Sequence, residues 1–133
     1  MLRAFLLISA CTLVPEPAPE VSTDRVSESG GAIRNCLRVA SGLREQGDRE
    51  GASAHVLTCY EQHFSPIEPT LREHNRRATL SLEFGFGLLA RTMSQRRGEH
   101  TPAAAMLSDR VESVLASLPK EPASVAVEVK PTP

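Results

Sequence analysis

Apolar residues return at helical spacing from about Gly31 onward. Ile33, Cys36, Leu37, Ala40 and Leu43 form one stripe, and it stops at Gly47. Asp48 then caps a second helix with Glu50 near its N-terminus, and Ala52, Val56, Cys59, Tyr60 and Phe64 point inward. A third helix runs from about Arg76 to Arg96, with Leu82, Phe86, Leu89 and Met93 on one stripe. The fourth opens at "TPAAA", where Thr101 is the expected cap and Pro102 the first helical residue. It is expected to bury Met106, Leu107, Val111, Val114, Leu115 and Leu118 before Pro119 stops it. Four helices on short loops predict an all-α antiparallel four-helix bundle, or a pair of helical hairpins, over residues 31–119.

Composition agrees with this. The chain has no Trp, one Tyr and four Phe, so a core must be built mainly from aliphatic side chains, which suits packed helices. Fifteen basic against sixteen acidic residues give a formal charge of −1, and no field that would draw in nucleic acid.

The two ends lack helical periodicity. "TLVPEPAPEVSTD" holds three prolines and reads as an extended tether, so residues 11–30 are expected to be a flexible connection. At the other end Val125, Val127 and Val129 alternate at strand spacing between prolines with nothing obvious to pair with, so residues 120–133 are expected to be disordered.

The first residues, "MLRAFLLISAC", place Arg3 ahead of an apolar run that ends in small residues, the layout of a secretory signal. This stretch resembles the bacterial lipoprotein signal, whose pattern of an aliphatic residue, two small residues and a cysteine is filled by Ile8, Ser9, Ala10 and Cys11. The resemblance implies removal of residues 1–10 and acylation of Cys11 with palmitate-type chains. It also implies a periplasmic address at a bacterial membrane. Each buried methylene would strengthen such an anchor by roughly 0.8 kcal/mol. Loss of Arg3 with the signal would leave 14 basic and 16 acidic residues, a charge of −2.

Cys36 lies 11 residues before Gly47 and Cys59 lies 12 after it, so an antiparallel hairpin turning there brings both to nearly the same height. In an oxidising compartment this predicts a disulfide stapling the first two helices, worth about 3 kcal/mol. Two reduced core cysteines are the alternative.

Chemistry concentrates in "CYEQHFSPIEPTLREH", residues 59–74. Glu61 and Glu68 are seven apart, on one face of a continuous helix, and His63, Glu73 and His74 add further donors for a cation such as iron. Pro66 opposes that continuity, because a proline inside a helix removes a hydrogen bond and clashes with the preceding turn. The alternative is a structural corner. Ser65 would then cap a restart with Pro66 first and Glu68 closing a capping box, or the restart would come at Pro69 with Glu68 as a poor cap.

Two further resemblances touch this region. "GDREGASAHVLTCYEQHFSPIEP" is similar to a tetratricopeptide helix pair, and with no second copy at a 34-residue period it implies one helical hairpin. "YEQHFSPIEPTLREHNRRATLSLEFGFGLL" is similar to the helical periplasmic segment of some bacterial iron permeases at Phe64, Pro66, Glu68, Leu82 and Glu83. That resemblance implies acidic residues near an iron path; taken with the spacing of Glu61, it makes Glu61, Glu68 and Glu83 the candidate metal ligands.

Glu83 beside the apolar stripe is otherwise expected to pair with an arginine such as Arg34 or Arg38. Gly85 and Gly87 either permit close helix packing or leave a groove between Phe84 and Phe86 for a partner or apolar ligand. Arg76-Arg77 and Arg96-Arg97 read as a solvated face, or as a contact for anionic headgroups. Phosphate-loop, GxSxG, HExxH and CxxC motifs do not occur. The sequence thus predicts a non-enzymatic module anchored to the membrane that binds an envelope protein or a small partner. An accessory of envelope metal uptake that binds iron is the second expectation.

Overall fold

The computed structural model describes residues 23–120. The expected signal, Cys11, most of the tether and the C-terminal tail lie outside the described residues. Four α-helices follow in order: α1 Thr23–Glu45, α2 Arg49–Cys59, α3 Glu68–Ser94 and α4 His100–Ala116, with a single π-helical stretch, Tyr60–Phe64, between α2 and α3. Each helix packs on its sequence neighbours, and α4 closes the ring on α1. Arg34 of α1 pairs with Glu112 of α4, while Glu45, eleven residues further along α1, lines the same cleft as Thr101 at the start of α4. The two helices therefore run antiparallel.

Helix α1 begins at Thr23, not near Gly31 as the sequence suggested, so residues 23–30 belong to the bundle and not to the tether. The stripe Val26, Gly30, Ile33, Leu37 and Ala40 explains the extension, because it continues without a break in steps of three and four. Gly30 is a packing device: a Cβ there would stand 2.8 Å from Leu115 Cδ1.

The α1–α2 turn matches expectation closely. Gly47 sits at φ 88°, in the left-handed region glycine tolerates. Its N–H donates to Arg44 O at 3.1 Å, and the Asp48 N–H donates to Leu43 O at 3.0 Å, the paired bonds of a Schellman ending. Asp48 Oδ1 accepts from the Gly51 N–H at 2.8 Å and so caps α2. This hairpin places Cys36 and Cys59 with Cα atoms 5.8 Å apart, and they form a disulfide.

The core runs the length of the bundle. Tyr60, Phe64 and Phe86 make one aromatic cluster near the π-helical stretch, with ring centroids 5.2–5.6 Å apart. Around it lie aliphatic side chains from every helix, among them Ile33, Val56, Leu71, Met93 and Val111.

Two details of α4 differ from the sequence reading. The helix starts at His100 after Glu99, with no side-chain cap, and Thr101 and Pro102 stand within its first turn. Pro102 is harmless there, because the first N–H groups of a helix have no partner inside it. Met106 is 64% exposed instead of buried. The inward stripe is Ala104, Leu107, Ser108 and Val111, which turns Met106 away from the core and toward α3. Among the described residues no helix is long and apolar enough to cross a membrane.

Candidate functional site

The corner that follows α2 carries the residues with the strongest sequence signal. The Ser65 N–H reaches back to Tyr60 O at 2.8 Å, an i→i+5 bond that widens the helix by one residue just before Pro66. Helix α3 restarts at Glu68 with Pro69 in its first turn, and no side chain caps it, so the Ser65–Glu68 capping box does not form. Seven residues later Asn75 leaves helical geometry (φ −153°, ψ 81°), and its Oδ1 accepts from the Ala78 N–H at 3.0 Å. Asn75 is therefore an internal cap. The third helix expected from Arg76 is the segment that begins after it.

This kink decides which charges meet. Residues 11 apart in a continuous helix are separated by about 16 Å along its axis, yet Arg72 donates to Glu83 Oε1 at 2.5 Å. The same guanidinium nitrogen bonds Glu68 Oε1, and Tyr60 donates its hydroxyl to Glu68 Oε2 at 2.8 Å. Hydrogen bonding with Glu68 and with the Arg72 guanidinium holds the Glu83 carboxyl below its ordinary value. Burial, the bond to Glu68 and the nearby carboxylates push the Tyr60 phenol up to about 12. The Arg72 guanidinium is held above its ordinary value, chiefly by its bond to Glu83.

Of the three expected metal ligands the fold brings Glu68 and Glu83 together, but around an arginine. Glu61 is exposed and makes no ion pair among the described residues. Glu73 and His74 are exposed as well. Arg34, one expected partner of Glu83, pairs with Glu112 instead, and Arg38 bonds Asn35. The sequence did not point to Arg72, because its contact with Glu83 exists only across the Asn75 kink. The cluster is a clasp that ties the corner to the body of α3.

A second region faces outward. Leu80, Phe84 and Leu88 stand four residues apart on α3 and are all exposed, Phe84 to 73%. Met106 of α4 lies beside Leu88: the two line, with Leu89, Ala103 and Leu107, a shallow groove of about 190 Å³ between the helices. Gly85 lets the helices approach there, since a Cβ on it would stand 2.8 Å from Leu107 Cδ1. Arg77 and Arg91 stand three residues before Leu80 and three after Leu88, and Arg110 closes the groove; all three are exposed. The face is an apolar strip bordered by guanidinium groups.

A third feature is a cleft of about 490 Å³ between α1 and α4, floored by Leu37 and Ala104 and rimmed by Arg34, Arg38, Glu45 and Asp109. Ser41 and Ser108 line it as buried hydroxyl residues, and among the described residues the Ser108 Oγ has no hydrogen-bond partner. Its rim carries both signs of charge and so selects no ligand class by charge.

Comparison with protein-family models, with curated proteins and with solved structures finds no match for the chain.

Proposed function

We infer that the domain is a non-enzymatic adaptor, held near a bacterial membrane through an acylated Cys11, that docks an amphipathic helix of an envelope protein on the α3–α4 face. The observation that carries this reading is the exposed row Leu80, Phe84 and Leu88, with Met106 of α4 beside its Leu88 end. Large apolar side chains exposed in a contiguous group mark interaction sites more often than chance scatter does. Aromatic residues and methionine are also the types enriched where protein partners bind. Spacing of four along α3 is what the apolar face of a partner helix matches.

The partner's chemistry follows from the border. Arg77, Arg91 and Arg110 surround the strip, so a helix with acidic residues flanking its apolar stripe is favoured in approach and in register. The address rests on the sequence alone, through Ile8, Ser9, Ala10 and Cys11. From an acylated Cys11 the chain to Thr23 spans at most about 40 Å, which keeps the face within reach of envelope proteins.

Photocrosslinking in cells tests the reading. A benzophenone side chain in place of Phe84 or Met106 should give one dominant protein adduct of the same mass, whereas the same group at Gln62 should not. Equal adducts at all three positions, no adduct, an adduct of twice the chain's mass, or labelling of lipid alone would each contradict it. Metabolic labelling with palmitate checks the address: the wild type should be marked and Cys11→Ser spared.

A further inference from the structure

His55 stands on α2 four residues before Cys59, on the same side of the helix, and its Nε2 lies 3.4 Å from Cys36 Sγ. The three ligand atoms Cys36 Sγ, His55 Nε2 and Cys59 Sγ lie within 4.8 Å of one another, and no other trio of acidic, histidine or cysteine side chains among the described residues does so. Two helices supply them, joined by the rigid turn at Gly47. Cys59 is fully buried, while Cys36 and His55 are half-buried and open toward solvent.

We propose that reduction of the Cys36–Cys59 disulfide converts this trio into a binding site for a divalent ion of the zinc class. The donor set of two thiolates and one imidazole is one that such ions favour, and it leaves a fourth position for water or another ligand. Distances fit. Around a tetrahedral ion with ordinary bond lengths, sulfur and nitrogen ligands stand about 3.6 Å apart and two sulfurs about 3.8 Å. Cys36 and His55 already have the first separation, at 3.4 Å. Only the two sulfurs have to part, and side-chain rotation achieves that with the Cα atoms 5.8 Å apart.

The chemistry closes without an unnamed reactant. A dithiol reductant attacks Cys36 Sγ, the accessible sulfur, forming a mixed disulfide and releasing Cys59 as a thiolate. Its second thiol then displaces Cys36, so the reductant leaves as a cyclic disulfide. Two electrons have passed to the protein, and two thiol protons reside on the cysteines. Binding the ion to both sulfurs releases those two protons, and neutral His55 donates its Nε2 lone pair. The disulfide and the metal ion exclude one another, so the site reports the redox state of its compartment.

Cobalt(II) serves as the probe, titrated into the full chain carrying Cys11→Ser, reduced with a phosphine under exclusion of air. Thiolate-to-cobalt charge-transfer bands should saturate at one ion per chain and vanish on addition of zinc. His55→Ala should weaken binding at least about tenfold, and the oxidised chain should give no such bands. Absence of the bands in the reduced chain, unchanged affinity in His55→Ala, or equal binding by the oxidised chain would overturn the proposal. Should reduction unfold the helices, circular dichroism decides: zinc restores helicity if the site exists, and leaves the chain unfolded if it does not.

Discussion

Phe84 and Phe86 are two residues apart on one helix and meet opposite fates. Phe86 is 1% exposed and packs against Tyr60 and Phe64, while Phe84 is 73% exposed beside Leu80 and Leu88. A two-residue step turns a helix through roughly 200°, so one residue faces the core and the other faces away from it. The inner stripe of α3 has every reason it needs in the packing. Among the described residues nothing covers the outer stripe, and exposed apolar groups of this kind are the ones that mark interaction surfaces.

The contrast is broken most severely at the core. Phe86→Ala should lower unfolding stability by about 3–5 kcal/mol, while Phe84→Ala should change it by less than about 0.5 kcal/mol; denaturant unfolding compares them directly. Next in size is the staple between α1 and α2. Replacing Cys36 and Cys59 by serine should cost about 3 kcal/mol, because the unfolded chain regains the loop entropy that the cross-link removes.

The glycines repeat the comparison on a finer scale. Gly87 faces open space, so Gly87→Ala should stabilise α3 by up to about 1 kcal/mol. Gly85→Ala should gain less than that or lose stability, since its new Cβ would displace Leu107. The smallest effect is expected at the clasp. Glu83 is held below its ordinary value of 4.5, so the folded state binds fewer protons there than the unfolded chain does. The resulting stabilisation is complete above that value and disappears as pH falls through the depressed one. Unfolding midpoints should therefore drop on acidification below pH 4.5, and Glu83→Gln should flatten that decline.

Much of this fold was legible beforehand, for a physical reason that also marks the limit. The Gly47 turn, the Asp48 cap and the Cys36–Cys59 pairing depend on neighbours close in sequence or on one hairpin, and each appears as read. The four-helix architecture follows from stripes of period near 3.6, which the core needs and the sequence displays. Errors fell where tertiary contacts override local signals. The first helix was expected only from about Gly31, but it begins at Thr23 and packs Gly30 against Leu115, and Met106 looked like core until its neighbour Leu107 took the inward position.

The candidate sites divide in the same way. Glu68 and Glu83 were singled out as acids and do come together, but Arg72 between them depends on the Asn75 kink, which no spacing rule anticipates. His55 carries a readable signal, four residues before Cys59, yet it becomes informative only once Cys36 is known to lie across from it. The outer row of Leu80, Phe84 and Leu88 was visible as letters, but nothing in the sequence said that no other described element covers it.

The central claim is that this outer row binds a partner and contributes nothing to the fold, and Leu88→Asp tests it most directly. With a benzophenone group at position 106, the crosslinked adduct should disappear in the Leu88→Asp chain while the denaturation midpoint stays at the wild-type value. A persistent adduct, or an adduct lost only together with more than about 1 kcal/mol of stability, would contradict the account.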